Sequence, residues 1–218
     1  MSVVGFRHRS HEDRNALTSA REAPMTSFST KIGACVAGFL APATAMAGQY
    51  VVELDTPFEA PPQTLMQEYG LTVDETLSAG ADSYVVVTAE TENAVRDMMQ
   101  AASIIPEKIT EVLFINSPTV SGGQPAGAEP RDGHQVFVIE RPIPGVGFFG
   151  LEKKQKISAG SNAAIAKLGE TIEWDHSYLT GEGTYCVYRA DSPDTLREHG
   201  ALAGAPIGKI TPVTQNLH

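Results

Sequence analysis

The feature that most restricts this chain is a repetition inside it. Shifted by 101 residues, Asp74–Val112 matches a later stretch without a gap. The identities include Asp74/Asp175, Gly80/Gly181, Tyr84/Tyr185, Val86/Val187, Ala89/Ala190, Arg96/Arg197, Lys108/Lys209, Thr110/Thr211 and Val112/Val213. A constant offset over so long a stretch marks two copies of one structural unit. Further forward the offset is 87, where Val51, Glu53 and Pro57 match Val138, Glu140 and Pro144. The second copy therefore carries about 14 extra residues after its first strand. Residues 117–133 lie in a Gly, Pro and Ser-dense stretch that reads as a flexible linker. The copies on either side are 48–116 and 134–218.

The pattern within a copy predicts β-α-β-β-α-β. In the second, Gln135–Arg141 is the first strand, with Tyr50–Leu54 its counterpart in the first copy. A helix follows, placing Ile157, Ala164, Ile165 and Leu168 on one face. Thr171–Leu179 and Thr184–Ala190, rich in β-branched and aromatic residues, form a hairpin around Thr180–Gly183. Ser192-Pro193-Asp194 starts a second helix with a capping hydroxyl, an early proline and an acid at its positive end. Lys209–Val213 is the last strand, and Gln215–His218 reads as a frayed tail. This is the ferredoxin-like split βαβ order. Both helices cover one face of such a sheet, leaving the other bare. Two copies can bury those bare faces together, so the expected fold is α+β, a pseudo-dimeric barrel.

Residues 1–47 stand apart. A charged stretch, the short apolar run Ile32–Leu40 and Ala45-Met46-Ala47 have the form of a secretory signal peptide, with Met1 or Met25 as its start. The run is too short to span a bilayer. The expected location is the periplasm or the exterior, with no membrane association after cleavage. The segment takes with it five basic and three acidic residues, so the net charge of −10 becomes −12. Such acidity disfavours nucleic acid and anionic lipid as partners. Cys35 also leaves, and Cys186 is then the lone thiol.

Candidate chemistry sits in the second copy alone. His176, Cys186 and His199 stand where the first copy has Glu75, Val85 and Met98. The scaffold thus accepts plain packing residues at two of the three places. His199 shares a helical face with Leu196 and Ala203 and points inward. A three-residue hairpin loop places His176 and Cys186 on one face; a two-residue loop places them on opposite faces. Glu140 is a further candidate on the first strand. Imidazole, thiolate and carboxylate suit a divalent transition metal such as Ni2+. The plainer reading makes Cys186 a small buried hydrophobe and His199 a hydrogen-bonded core histidine. Phe148 and Phe149 plug the core or cover a pocket mouth, and Glu152–Lys156 is a solvated helix face.

His176-Ser-Tyr, Thr184-Tyr-Cys-Val-Tyr, Arg197-Glu-His-Gly, Gly204-Ala-Pro and Ile210-Thr-Pro-Val come in an order that resembles a known family. It comprises small bacterial nickel-binding-like proteins of unknown physiological role, and the resemblance covers residues 134–215. It implies a ferredoxin-like unit that pairs through its sheet, and possession of His176, Cys186 and His199 at characteristic polar positions. Here the pairing is internal, with 49–115 as a degenerate partner. The resemblance implies a protein holding nickel or a similar divalent transition metal at His176, Cys186 and His199, to which the strand reading adds Glu140; export, read from residues 1–47, departs from a typical member of the family. A small-molecule pocket, a Cys/His-dependent enzyme and a non-catalytic interaction module are the alternatives. The expected assembly is a monomeric pseudo-dimer or a homo-oligomer.

Overall fold

A computed structural model describes residues 47–218. The expected export segment, Cys35 included, lies outside the described residues except for Ala47. The first half runs β1 (Gly48–Leu54), α1 (Gln63–Glu68), β2 (Thr72–Ala79), β3 (Asp82–Ala89), α2 (Glu92–Ala101) and β4 (Lys108–Val112), continued after Leu113 as β5 (Phe114–Asn116). The second runs β6 (Gln135–Arg141), α3 (Leu151–Leu168), β7 (Ile172–Leu179), β8 (Thr184–Ala190), α4 (Pro193–Ala203) and β9 (Ile210–Leu217). Both have the βαββαβ order. Each also carries a bulge on its second strand, between Val73 and Glu75 in β2 and between Trp174 and His176 in β7. The main difference is in the first helix, six residues in α1 and 18 in α3.

The strands form one sheet in the order β4-β1-β3-β2-β9-β6-β8-β7-β5. Because β4 and β5 are two parts of one chain path, its two ends meet and the sheet closes. Leu113 N at the kink donates to Leu179 O (2.8 Å). β9 makes the opposite seam. Its first part pairs with β6, Val136↔Val213 to Ile139↔Ile210, and its second with β2, Glu75↔Leu217 to Ser78↔Thr214. The tail expected to fray is therefore a strand. Gln215 Nε2 donates to Glu75 Oε1 (2.6 Å), and His218 N to Asp74 O (3.0 Å). The reason is the otherwise open ladder of β2, which this tail satisfies.

Alternation sorts the side chains into an interior and two outer layers. Val51, Leu77, Tyr84 and Val86 meet Val136, Val138, Tyr178, Tyr185, Val187 and Val213 inside the barrel. These are the bare faces of the two halves, buried on each other. Outside, α2 packs Val95, Met98 and Met99 on Val85, Val87 and Leu54. α4 packs Leu196 on the face holding Phe137, Ile139, Trp174, Cys186 and Tyr188. Ser192 caps α4, accepting from Thr195 N (3.2 Å), as its sequence predicts.

Three expectations are corrected. The 117–133 segment is tied down rather than free: Asn162 Nδ2 donates to Pro118 O (3.0 Å), and Arg189 Nη1 to Gly127 O (2.6 Å). The buried face of α3 is Lys154, Ser158, Ser161 and Ala164, so of the apolar set read from its sequence only Ala164 lies on it. Ile157 is exposed, and Ile165 and Leu168 only flank the core. Phe148 is exposed as well and does not plug the core.

Candidate functional site

The β7–β8 hairpin decides which candidates share a site. Thr180 N donates to Gly183 O (2.9 Å), so the loop proper is the two residues Gly181-Glu182. In this register Cys186 faces Ser177 across the ladder and His176 faces Val187. Cys186 therefore points to the helical layer, while His176 points into the barrel. Strand alternation also separates Glu140 from its neighbours Ile139 and Arg141, since Glu140 lies on the interior face. The predicted four-ligand set is thus divided: Cys186 and His199 lie together outside the sheet, and His176 and Glu140 lie on its other side.

The two interior residues belong to polar networks between the halves. His176 Nε2 is 3.1 Å from Glu75 Oε2 and its Nδ1 is 3.4 Å from Asp175 Oδ1. Tyr178 Oη donates to Glu75 Oε2 (2.7 Å). Burial alone would lower the His176 pKa, but the hydrogen bonds and charges of Asp175 and Glu75 raise it to about 9. Burial would raise Glu75, yet His176, Tyr178 and Gln215 together hold it below the usual carboxylate value. Both groups are charged at neutral pH. Elsewhere Tyr84 Oη donates to Glu140 Oε1 (2.6 Å), and Tyr185 Oη donates to Glu53. Each tyrosine reaches the carboxylate of the opposite half. These residues tie the barrel together.

Cys186 and His199 line a cavity of about 590 Å3 between α3, α4 and the outer face of the second half-sheet. The β6–α3 loop supplies Pro142, Ile143, Pro144 and Val146 to its wall. Gly145 N and Gly147 N hold that loop to the hairpin, donating to Gly181 O (2.8 Å) and Thr180 O (2.9 Å). Gly147 permits this approach, since a Cβ there would lie 2.7 Å from Thr180 O. The Glu152–Lys156 stretch is not simply solvated: Lys153 and Lys156 reach the cavity, and Lys154 turns inward over the Phe114 ring.

The polar groups at the floor form a chain. Arg141 Nη1 donates to Pro206 O (2.9 Å) and its Nη2 lies 3.5 Å from His199 Nδ1. Arginine can only donate, so Nδ1 is the acceptor and Nε2 carries the proton toward Ser161 Oγ (3.1 Å). Ser161 Oγ is 2.9 Å from Tyr188 Oη. Burial, then the Arg141 charge, lowers the His199 pKa to about 4, and its imidazole is neutral. Cys186 Sγ is 3.0 Å from Thr184 Oγ1. Arg141 was not among the residues singled out from sequence. Its signal was present: the 87-residue offset sets it against Leu54. Leu54, Val85 and Met98 fill the first half's core, and Arg141, Cys186 and His199 replace them around a cavity.

A resident divalent ion fits this donor set poorly. Among the described residues the cavity lining contains one thiol and one imidazole but no carboxylate, and the imidazole faces a guanidinium. Among the described residues, no group of three or more His, Cys, Asp or Glu side chains is gathered as for a metal.

Residues 137–213 match the sequence model of a family described as Nickel responsive protein SCO4226-like. The match lies within the half that carries the cavity. No curated protein sequence matches the chain. Among solved structures, a mutant chlorite dismutase from Candidatus Nitrospira defluvii aligns with 78% of this chain and 92% of its own, at 11% identity and a TM-score of 0.46. Chlorite dismutase from the same organism in complex with imidazole aligns over the same shares at 10% identity and a TM-score of 0.42.

Proposed function

We propose that this chain is a small-molecule-binding protein whose site is the α3–α4 cavity of the second half. One observation carries the reading. Both halves have a cavity of about 590 Å3 at this place, but where the first half packs Leu54, Val85 and Met98 into its apolar core, the second presents Arg141, Cys186 and His199 to the cavity. A buried guanidinium and imidazole at positions the scaffold fills with Leu and Met cost stability unless a ligand makes use of them. Its volume falls within the range of roughly 300–1,000 Å3 typical of small-ligand pockets. The polar groups converge on the floor while the walls are Pro142, Ile143, Pro144, Val146, Trp174 and Leu179. The first half and the barrel act as scaffold. We also propose export, on the pattern of residues 1–47, which N-terminal sequencing of the cell-derived protein checks.

The test uses the full chain and the neutral fluorophore N-phenyl-1-naphthylamine. It should bind at one site per chain. Gly160 lines the cavity, and a Cβ there meets nothing within 4 Å. Gly160→Leu should therefore project into the hollow, weaken the probe about tenfold or more, and leave the melting temperature equal or higher, since Gly costs a helix interior about 1 kcal/mol. Equal probe affinity in the variant contradicts the reading.

The family match brings nickel into consideration. Two donors beside Arg141 do not amount to a metal site, so Cys186→Ala/His199→Ala should leave nickel retention in equilibrium dialysis unchanged. Stoichiometric nickel lost on this double substitution would restore the metal reading for the cavity.

A further inference from the structure

The geometry points to an organic anion as the ligand of this cavity, its acid group capping Arg141 and its apolar body lying against Trp174, Ile143 and Val146. This rests on the cavity reading above. Arg141 is 5% exposed, and a buried guanidinium without a counter-charge is costly unless something supplies one. Within the described residues no carboxylate forms an ion pair with it. Two of its five N–H groups are engaged, by Pro206 O and His199 Nδ1, and both acceptors are uncharged. The contrast with Arg189, equally buried, is direct: Asp175 Oδ2 sits 3.1 Å from its Nη2. The chain neutralises one buried arginine and leaves the other facing a hollow.

The rest of the lining agrees. Among the described residues, Lys153 and Lys156 are the other charged residues around the cavity, and neither Asp nor Glu lines it. That is unusual in a chain with 26 acidic residues and a net charge of −10. Lys156 is partly compensated by Glu152 (2.8 Å), which stands outside the cavity, and Lys153 lies over the Phe149 ring. A cationic floor under mostly apolar walls selects an acid with a hydrocarbon or aromatic body over a bare inorganic ion. A planar guanidinium offers paired N–H donors to carboxylate or phosphate alike.

The experiment displaces N-phenyl-1-naphthylamine from the full chain with matched ligands: 4-phenylbutyrate, its neutral amide, and phenyl phosphate. The wild type should prefer the acid over its amide by about tenfold or more, and Arg141→Leu should shrink that preference to within about twofold while still binding the probe. Arg141→Lys, retaining charge without the fork, should fall between them. Phenyl phosphate against phenylbutyrate identifies the preferred acid group. Equal displacement by acid and amide in the wild type overturns the anion assignment and leaves the cavity reading standing, as does a preference that survives in Arg141→Leu. Failure of the neutral probe to bind the wild type overturns the cavity reading and this inference with it.

Discussion

His176 and Glu75 occupy matching places in the two halves, 101 residues apart, and they meet each other inside the barrel. Their charges give stability a pH window. The His176 pKa is raised, so its contribution is complete below its ordinary value of 6.5 and is lost as pH climbs through about 9. Glu75 and Asp175 are lowered, so theirs is complete above ordinary carboxylate values and is lost as pH falls below them. Urea midpoints should be flat between about pH 5 and 6.5, decline from there through about pH 9, and decline again on the acid side. His176→Ala should cost about 3–5 kcal/mol, because it strands Glu75 in the interior, while Glu75→Leu/His176→Leu should cost much less. An alkaline decline identical in a His176 variant would contradict the assignment. At this scale the sequence was unevenly legible. The inward aim of His199 follows from helical spacing, but Arg141 closes a strand whose two faces are both apolar, and no alternation marks which face is polar.

Among the elements, α3 departs furthest from its pattern. Its inner face is polar because its side chains reach fixed partners, as when Ser158 Oγ donates to Asn116 Oδ1 (2.7 Å), and Ser161 faces the cavity. Apolar periodicity reports which face meets an apolar core, and here Lys154 meets the Phe114 ring, Ser158 meets Asn116 and Ser161 faces the cavity. The β7–β8 hairpin was undecided for a different reason: both loop lengths suited its sequence, and backbone pairing at Thr180 and Gly183 settles it. That pairing depends on Gly183, where a Cβ would lie 2.3 Å from Arg141 O. Gly183→Ala should cost about 1–3 kcal/mol as an overpacking change, measured by urea unfolding. It should also weaken probe binding, since the carbonyl it displaces belongs to Arg141. Wild-type stability in this variant would show that the hairpin yields freely.

For the whole molecule, the βαββαβ order and the internal pairing of two sheets were readable from element order and the buried bare face. The closure was not, because β5 and the end of β9 satisfy neighbours of the opposite half, a fact no local pattern carries. Removing residues 214–218 should therefore cost about 2–4 kcal/mol, leaving Glu75 without Gln215 and the β2 edge unpaired. At this chain length that is a drop of roughly 4–16 °C in Tm; an unchanged Tm would mean that β9 does not seal the barrel. The larger claim is that the second half gives up packing residues at three positions for a binding site. Writing the first half's residues into it, Arg141→Leu/Cys186→Val/His199→Met, tests this with a single thermal melt run with and without the naphthylamine probe. The account predicts a Tm at or above wild type and no shift on adding probe. A Tm well below wild type that the probe still raises would contradict it.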